Sequence, residues 1–139
     1  MAFSSGNKGV LQYAERSSLS GVWSITTVES QGAPRNDGQI QVAFDSTGNP
    51  AIAYNVFNTS QPVLIKFARR VGAVWQKQTV RTTLELNSLS LAFDGTQPII
   101  AHADDTNGDN GNWRTDTVRL MRLTGSTWSS EVVETDMTV

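Results

Sequence analysis

The sequence predicts an all-β fold built from repeated antiparallel sheets. A short motif that ends in tryptophan occurs three times, with Trp23, Trp75 and Trp128 placed 52 and 53 residues apart. Residues 40–44 and 89–93 have large apolar side chains at every second position, which is the period of two that is typical of strands. A repeat of roughly 50 residues made of short strands indicates a β-propeller, whose four-stranded antiparallel blades are stabilised by packing against their neighbours.

The repeats divide the chain into a single β-propeller segment, 1–139, that holds about two and a half blades. We assign a half blade to 10–28 and complete blades to 39–80 and 88–133. The half blade contributes a third and a fourth strand, with no first and second strand before them. The predicted strands, in chain order, cover residues 10–14, 23–28, 40–44, 51–57, 63–68, 75–80, 89–93, 99–103, 117–122 and 128–133.

Turn residues separate the predicted strands. The segment 45–50 contains Gly48, which adopts positive φ readily, and Pro50, which opens the next strand without removing a hydrogen bond from the sheet interior. The segment 94–98 follows the same design. Residues 82–87 join the two complete blades and are interpreted as a loop. Nothing in the chain has the periodicity of a helix.

The repeated tryptophans are expected to fill equivalent sites between adjacent sheets, where so large a ring is among the strongest packing contributions. An array of two and a half blades leaves an apolar sheet face uncovered at each end, and soluble monomers rarely expose large apolar patches. We therefore expect copies of the chain to close a ring with one another. Two copies would give about six blades, within the usual range of roughly four to eight, so a dimer is predicted.

Composition excludes several classes of function. The net charge of -2 argues against a nucleic-acid partner, because phosphate binding requires a clustered positive field. The sequence has no cysteine, so disulfide bonds and thiolate metal sites are excluded. No apolar run approaches the roughly 18 residues that a membrane-spanning helix needs, and a membrane partner is not expected.

The order of motifs is specific enough to indicate a family. The chain reads L-x-Y-A, G-x-x-W, an alternating strand ending in F-D, then G-N-P and A-I-A-Y, and over 10–133 this resembles the blade repeat of bacterial and phage-type β-propellers of the broad sialidase-like, Asp-box-related group. The Asp-box itself is degenerate, since Met121 and Leu123 stand where the family has Ser and Asp. The resemblance implies no single activity, because such blades serve enzymes, lectins and scaffolds. The sequence does not fix a compartment, and an extracellular or virion-associated protein is favoured.

Four residues are candidates for ligand binding. Trp113 is not part of the repeat and lies in a polar segment, where its ring could stack on a sugar. His102 is the only histidine and stands where the preceding blade has Tyr54. Asp104 and Asn112 are the first and last residues of the polar stretch that precedes Trp113, and they add polar groups suited to hydroxyl-rich ligands.

The same segment contains a candidate calcium site. Asp105, Asn107 and Asp109 have the D-x-N-x-D spacing that places oxygen ligands around a tight turn, and Asp116 follows where a closing carboxylate could lie. The alternative is a long hairpin loop in which Asp, Asn and Gly supply turns and positive φ. Apart from calcium, the sequence predicts no cofactor.

The residues favour binding over catalysis. No carboxylate pair of glycosidase type can be singled out, and the arginines do not recur at the blade spacing, so the arginine cluster of sialidases is not carried over and no catalytic residue is assigned. We interpret the chain as a non-catalytic, lectin-like module for glycan recognition by an oligomeric propeller. The alternatives are a scaffold component of a virion or cell surface, and a sialidase- or glycosidase-like enzyme fragment.

Overall fold

The computed structural model describes residues 1–4, 9–30, 39–56, 62–105 and 116–135. Within these ranges the chain is all-β, every strand pairing is antiparallel, and no helix is long and apolar enough to cross a membrane. The strands are β1 (Ala2–Ser4), β2 (Leu11–Glu15), β3 (Ser24–Glu29), β4 (Ile40–Phe44), β5 (Pro50–Val56), β6 (Val63–Val71), β7 (Val74–Thr83), β8 (Glu85–Asp94), β9 (Gln97–Asp105), β10 (Asp116–Thr124) and β11 (Thr127–Thr135).

The strands form three sheets in chain order. The first sheet has the order β1-β2-β3, the second β4-β5-β6-β7, and the third β8-β9-β10-β11, each strand being hydrogen-bonded to its sequence neighbour. The prediction of four-stranded antiparallel sheets is therefore confirmed for the second and third sheets. The described strands do not close into a ring, so the propeller itself stays a prediction.

The first sheet contains one more strand than the sequence predicted. β1 pairs with β2, with Ala2 opposite Tyr13 and Ser4 opposite Leu11. The Met1 amino group also donates a hydrogen bond to the Ala14 carbonyl oxygen at 2.8 Å. The sequence pattern did not assign this strand, because a strand of three residues is too short to show a period of two.

The prediction of a loop at residues 82–87 was wrong. β7 extends to Thr83 and β8 already begins at Glu85, so that Leu84 alone separates the two strands. The register between β8 and β9 shifts between Leu86 and Ser88, which is a β-bulge. Because an inserted residue interrupts the alternation of side chains, the period of two is not visible at the beginning of this strand.

The second sheet lies between the other two and is covered on both faces. Ile52 and Tyr54 of β5 pack in the core shared with the first sheet, whereas Ala51 and Ala53 pack in the core shared with the third. Every residue of β5 is buried. Successive side chains of a strand point to opposite faces, so a strand between two cores requires apolar side chains on both faces, and β5 has them throughout except at Asn55.

Two aromatic pairs join the sheets. Tyr13 meets Trp75 between the first and second sheets, with ring centroids 5.2 Å apart, and Phe67 meets Trp128 between the second and third sheets at 5.4 Å. Both pairs have the edge-to-face arrangement that aromatic quadrupoles favour. The expected position between sheets is thus confirmed for Trp75 and Trp128, but Trp23 is 45% exposed.

The turn between β4 and β5 is organised by Asp45. Its carboxylate accepts hydrogen bonds from the Thr47 hydroxyl at 2.7 Å, from the Thr47 backbone at 2.9 Å and from the Asn49 backbone at 3.0 Å, and it pairs with the Arg69 guanidinium. The Thr47 hydroxyl, followed by Arg69 and the two backbone donors, holds the pKa of Asp45 well below its usual range despite burial. This carboxylate is fully occupied in holding the turn.

Candidate functional site

Four polar side chains meet between the second and third sheets, and we refer to Arg81, His102, Asp104 and Arg119 as the polar cluster. Asp104 is fully buried at its centre. Arg81 donates from Nε to Asp104 Oδ2 at 3.0 Å, and Arg119 Nε lies 3.4 Å from Oδ1. His102 Nδ1 lies 3.9 Å from the same oxygen.

Strand alternation and pairing bring these residues together. Ile100 of β9 lies in the core shared with the second sheet, so His102 and Asp104 share the face that it occupies. In the pairing of β9 with β10, Arg119 lies opposite His102. Arg81 comes from β7 of the second sheet and crosses the interface. A buried carboxylate requires such partners because an unpaired charge is costly in a low dielectric.

Several atoms of the polar cluster have no hydrogen-bond partner among the described residues. They are His102 Nδ1 and Nε2, Asp104 Oδ1 and Arg119 Nε, and all four are buried. A buried polar atom without a partner costs about 1–3 kcal/mol, and most native proteins contain few of them. Unmet donors and unmet acceptors are therefore concentrated at one place.

The histidine of the polar cluster is uncharged at neutral pH. Burial lowers the pKa of His102 to about 4; the charge of Asp104 opposes this shift, and the charges of Arg81 and Arg119 add to it. A neutral imidazole has one ring nitrogen that donates and one that accepts. His102 therefore offers one unmet donor and one unmet acceptor.

A second group of polar residues lies between the first and second sheets, and we refer to Glu29, Tyr54, Lys66 and Lys77 as the paired cluster. Glu29 accepts from the Tyr54 hydroxyl at 3.2 Å, from Lys66 at 2.5 Å and from Lys77 at 3.3 Å. Burial alone would raise the pKa of Glu29, but the hydrogen bond and charge of Lys66 and the charge of Lys77 outweigh it and lower the pKa.

The two clusters occupy corresponding places in their sheets. Tyr54 lies opposite Lys66 in the pairing of β5 with β6, just as His102 lies opposite Arg119. The paired cluster contributes none of the buried atoms without a partner that the described residues contain. The buried polar atoms of the paired cluster are hydrogen-bonded to one another, whereas several buried atoms of the polar cluster have no hydrogen-bond partner within the described ranges.

The structure tests the predicted ligand and metal residues unevenly. His102 and Asp104 are brought together, while Trp113, Asn112, Asn107 and Asp109 lie outside the described residues. Asp105 and Asp116 lie opposite each other where β9 ends and β10 begins. The described ranges contain no group of three or more His, Cys, Asp or Glu residues that could hold a metal ion, and the calcium site stays a prediction.

Sequence reasoning missed Arg81 and Arg119. The signal that could have found them is their position in the repeat. Arg81 follows Val80 as Glu29 follows Val28, and Arg119 stands where the preceding sheet has Lys66. At both interfaces, the residue after the valine of the last strand contacts a charged residue of the next sheet: Glu29 contacts Lys66, and Arg81 contacts Asp104. A change of charge at this position of the repeat therefore indicates a change in the cluster.

A cavity of about 440 Å³ lies at the opposite end of the second and third sheets, beside the turns that follow β6 and β10. Its polar lining includes Arg69, Arg70 and Gln78. Asp45 binds Arg69, Glu15 binds Arg70, and Gln78 accepts a hydrogen bond from Trp128. Because these groups are already paired, the cavity offers a ligand less than the polar cluster does.

No protein-family model matches the chain, and no curated protein matches its sequence. The resemblance to sialidase-like, Asp-box-related propellers therefore stays a prediction.

Proposed function

We propose that the chain is a non-catalytic, lectin-like binding module that recognises a hydroxyl-rich ligand, a glycan, at the polar cluster. The observation that supports this proposal is the set of unpaired buried atoms on His102, Asp104 and Arg119. The cluster lies next to the point where the chain leaves β9 for residues 106–115, which carry the predicted sugar-stacking Trp113.

The mixture of unmet groups favours a hydroxyl-bearing ligand. Asp104 Oδ1 and Arg119 Nε form an ion pair at 3.4 Å but no hydrogen bond, so the oxygen can still accept from a donor and the nitrogen can still donate to an acceptor. A hydroxyl both donates and accepts, so neighbouring sugar hydroxyls can serve both atoms. A simple anion would pair with the arginine but would be repelled by the carboxylate.

The same chemistry favours binding over hydrolysis. Glycosidases use two carboxyl groups, one on each side of the bond that is cleaved. Of the four residues of the polar cluster, only Asp104 has a carboxylate, and it forms ion pairs with Arg81 and Arg119. A single carboxylate held by two guanidinium groups does not provide the pair of carboxyl groups that this reaction uses.

Glycan-array screening followed by calorimetric titration of the strongest hits tests the proposal. His102→Tyr and Arg119→Lys each install the residue that the paired cluster has at the corresponding position. We expect each change to weaken binding at least tenfold, about 1.4 kcal/mol. Lys66→Arg, the matched change in the paired cluster, should leave the affinity unchanged.

Flat responses across all sugars, or equal affinities for the three variants, would overturn the proposal. A stable particle without saturable sugar binding would instead support the scaffold alternative. Turnover of chromogenic glycosides that is lost on removal of one carboxylate would support the enzyme alternative.

A further inference from the structure

The two interfaces inside the chain are built in the same way. At each, the earlier sheet contributes an aromatic residue, Tyr13 or Phe67, and the later sheet contributes a tryptophan, Trp75 or Trp128, that packs against it. The earlier sheet also contributes a buried valine from its last strand, which is Val28 at one interface and Val80 at the other. Each interface therefore consists of one earlier half and one later half.

The outer face of the third sheet, which we call the trailing face, repeats the earlier half. Met121 lies in the core shared with the second sheet, so its neighbour Leu120 points to the outer face. Leu120 lies opposite Glu131, as Phe67 lies opposite Gln78. Ile99, Ala101, Val118 and Arg122 share the trailing face by the same alternation. Glu134 lies opposite Val118, and Val133, the extra residue at the register shift of β11, corresponds to Val80, which lies in the core shared by the second and third sheets.

The outer face of the first sheet, which we call the leading face, repeats the later half. Tyr13 lies in the core shared with the second sheet, opposite Thr26, so the adjacent Ile25 points outward and is 54% exposed. Trp23 precedes it at the place that Trp75 and Trp128 occupy in their sheets. The Arg16 guanidinium lies 4.8 Å from the centre of the Trp23 ring.

We propose that the trailing face binds the leading face of a second copy, so that two chains close head to tail into one ring of six sheets. In this ring Leu120 packs on Trp23 as Phe67 packs on Trp128 inside the chain. Trp128 Nε1 donates to Gln78 Oε1 at 3.0 Å, and Glu131, at the place of Gln78, accepts from Trp23 in the same way.

Charge supports a second copy as the occupant. The trailing face carries Glu131 and Glu134, which outnumber its Arg122, whereas the leading face carries Arg16 beside Trp23. Six sheets lie within the roughly four to eight that closed rings of this kind contain, and three copies would exceed that range. Contacts of this head-to-tail type form rings when the rotation closes.

Engineered cysteines test the proposal without interference, because the chain has none of its own. The Trp23→Cys and Leu120→Cys single variants are mixed and treated with a short thiol-to-thiol cross-linker. We expect a cross-linked pair in the mixture and none with either variant alone. Cross-linking of Leu120→Cys by itself would indicate a face-to-face dimer and would overturn the head-to-tail arrangement.

Light scattering on the purified chain, without any sugar, provides the second readout. We expect twice the 15.1 kDa mass of one chain, and a fall to one chain in Leu120→Glu. Val74→Glu is the matched control, because Val74 is 64% exposed at the turn of the second sheet, and it should keep the mass of two chains. A wild-type mass of one or three chains would overturn the proposal.

Discussion

The polar cluster and the paired cluster show how one framework can produce two different interiors. Both lie between adjacent sheets, and both combine a group from the last strand of one sheet with groups from the next sheet. Glu29 of the paired cluster satisfies its partners, whereas His102 and Asp104 of the polar cluster retain unpaired buried atoms. The difference indicates that the framework does not require the unpaired atoms, which is why we associate them with function.

The two clusters also place their charges in opposite ways. In the paired cluster the earlier sheet provides the acid, Glu29, and the later sheet provides Lys66. In the polar cluster the earlier sheet provides a cation, Arg81, and the later sheet provides the acid, Asp104. Asp104 of β9 occupies the position that Val56 has in β5. The acid has thus moved to a position that is buried and that in the second sheet is apolar.

Removing the acid of each cluster should give the largest difference between them. Asp104→Ala leaves two guanidinium groups beside a buried gap, and we expect a loss of about 3–5 kcal/mol in the free energy of unfolding. Glu29→Ala should lose only about 1–2 kcal/mol, because Lys66 and Lys77 are 21% and 37% exposed and can turn to water. Urea denaturation measures both losses, and equal values would contradict the comparison.

Acid should destabilise the polar cluster before it affects the paired cluster. The pKa of His102 is about 4 in the folded chain, below its ordinary 6.5, so the unfolded chain takes up the proton first and stability is lost as the pH falls through this interval. We expect a loss of about 2 kcal/mol between pH 7.5 and pH 5.

His102→Tyr should abolish this loss, since His102 is the only histidine. The pKa of Glu29 is lowered, so the stability it contributes is lost only below its ordinary value of 4.5, which separates the two effects. Thermal denaturation across this pH range provides the measurement. A wild-type profile that is flat above pH 5 would show that His102 is not held neutral by burial.

The smallest expected effect concerns the hydroxyl of Tyr54. Tyr54→Phe removes its hydrogen bond to Glu29 and keeps the ring in the core, so we expect a loss of about 1 kcal/mol. Urea denaturation of the variant beside the wild type measures it. A larger loss would mean that the hydroxyl holds Glu29 in position for both lysines.

Sequence patterns predict the regular part of this fold well. β4 begins at Ile40 and ends at Phe44 as expected, because large apolar side chains stand at every second position, and β5 is a mostly apolar run that begins at Pro50. β1 and the beginning of β8 were missed, the first because three residues show no period and the second because a bulge interrupts it. Local patterns fail where a strand is very short or irregular.

The candidate site was only half predictable for a different reason. His102 and Asp104 stand close together in the sequence and could be singled out there. Arg81 and Arg119 lie on two different sheets and reach Asp104 through the packing of one sheet on another. No local pattern encodes that packing, and only an alignment of the repeats draws attention to the two arginines.

The burial of β5 has a consequence for how the molecule opens. Its residues contact a core on either side, and its backbone is hydrogen-bonded to β4 and β6, so its amide protons can exchange with solvent only when both cores separate. Exchange at β5 therefore reports global unfolding, and exchange in β3 or β11 reports local opening at the margins. Since Lys66 and Arg81 belong to this same central sheet, the two clusters are lost together when it unfolds.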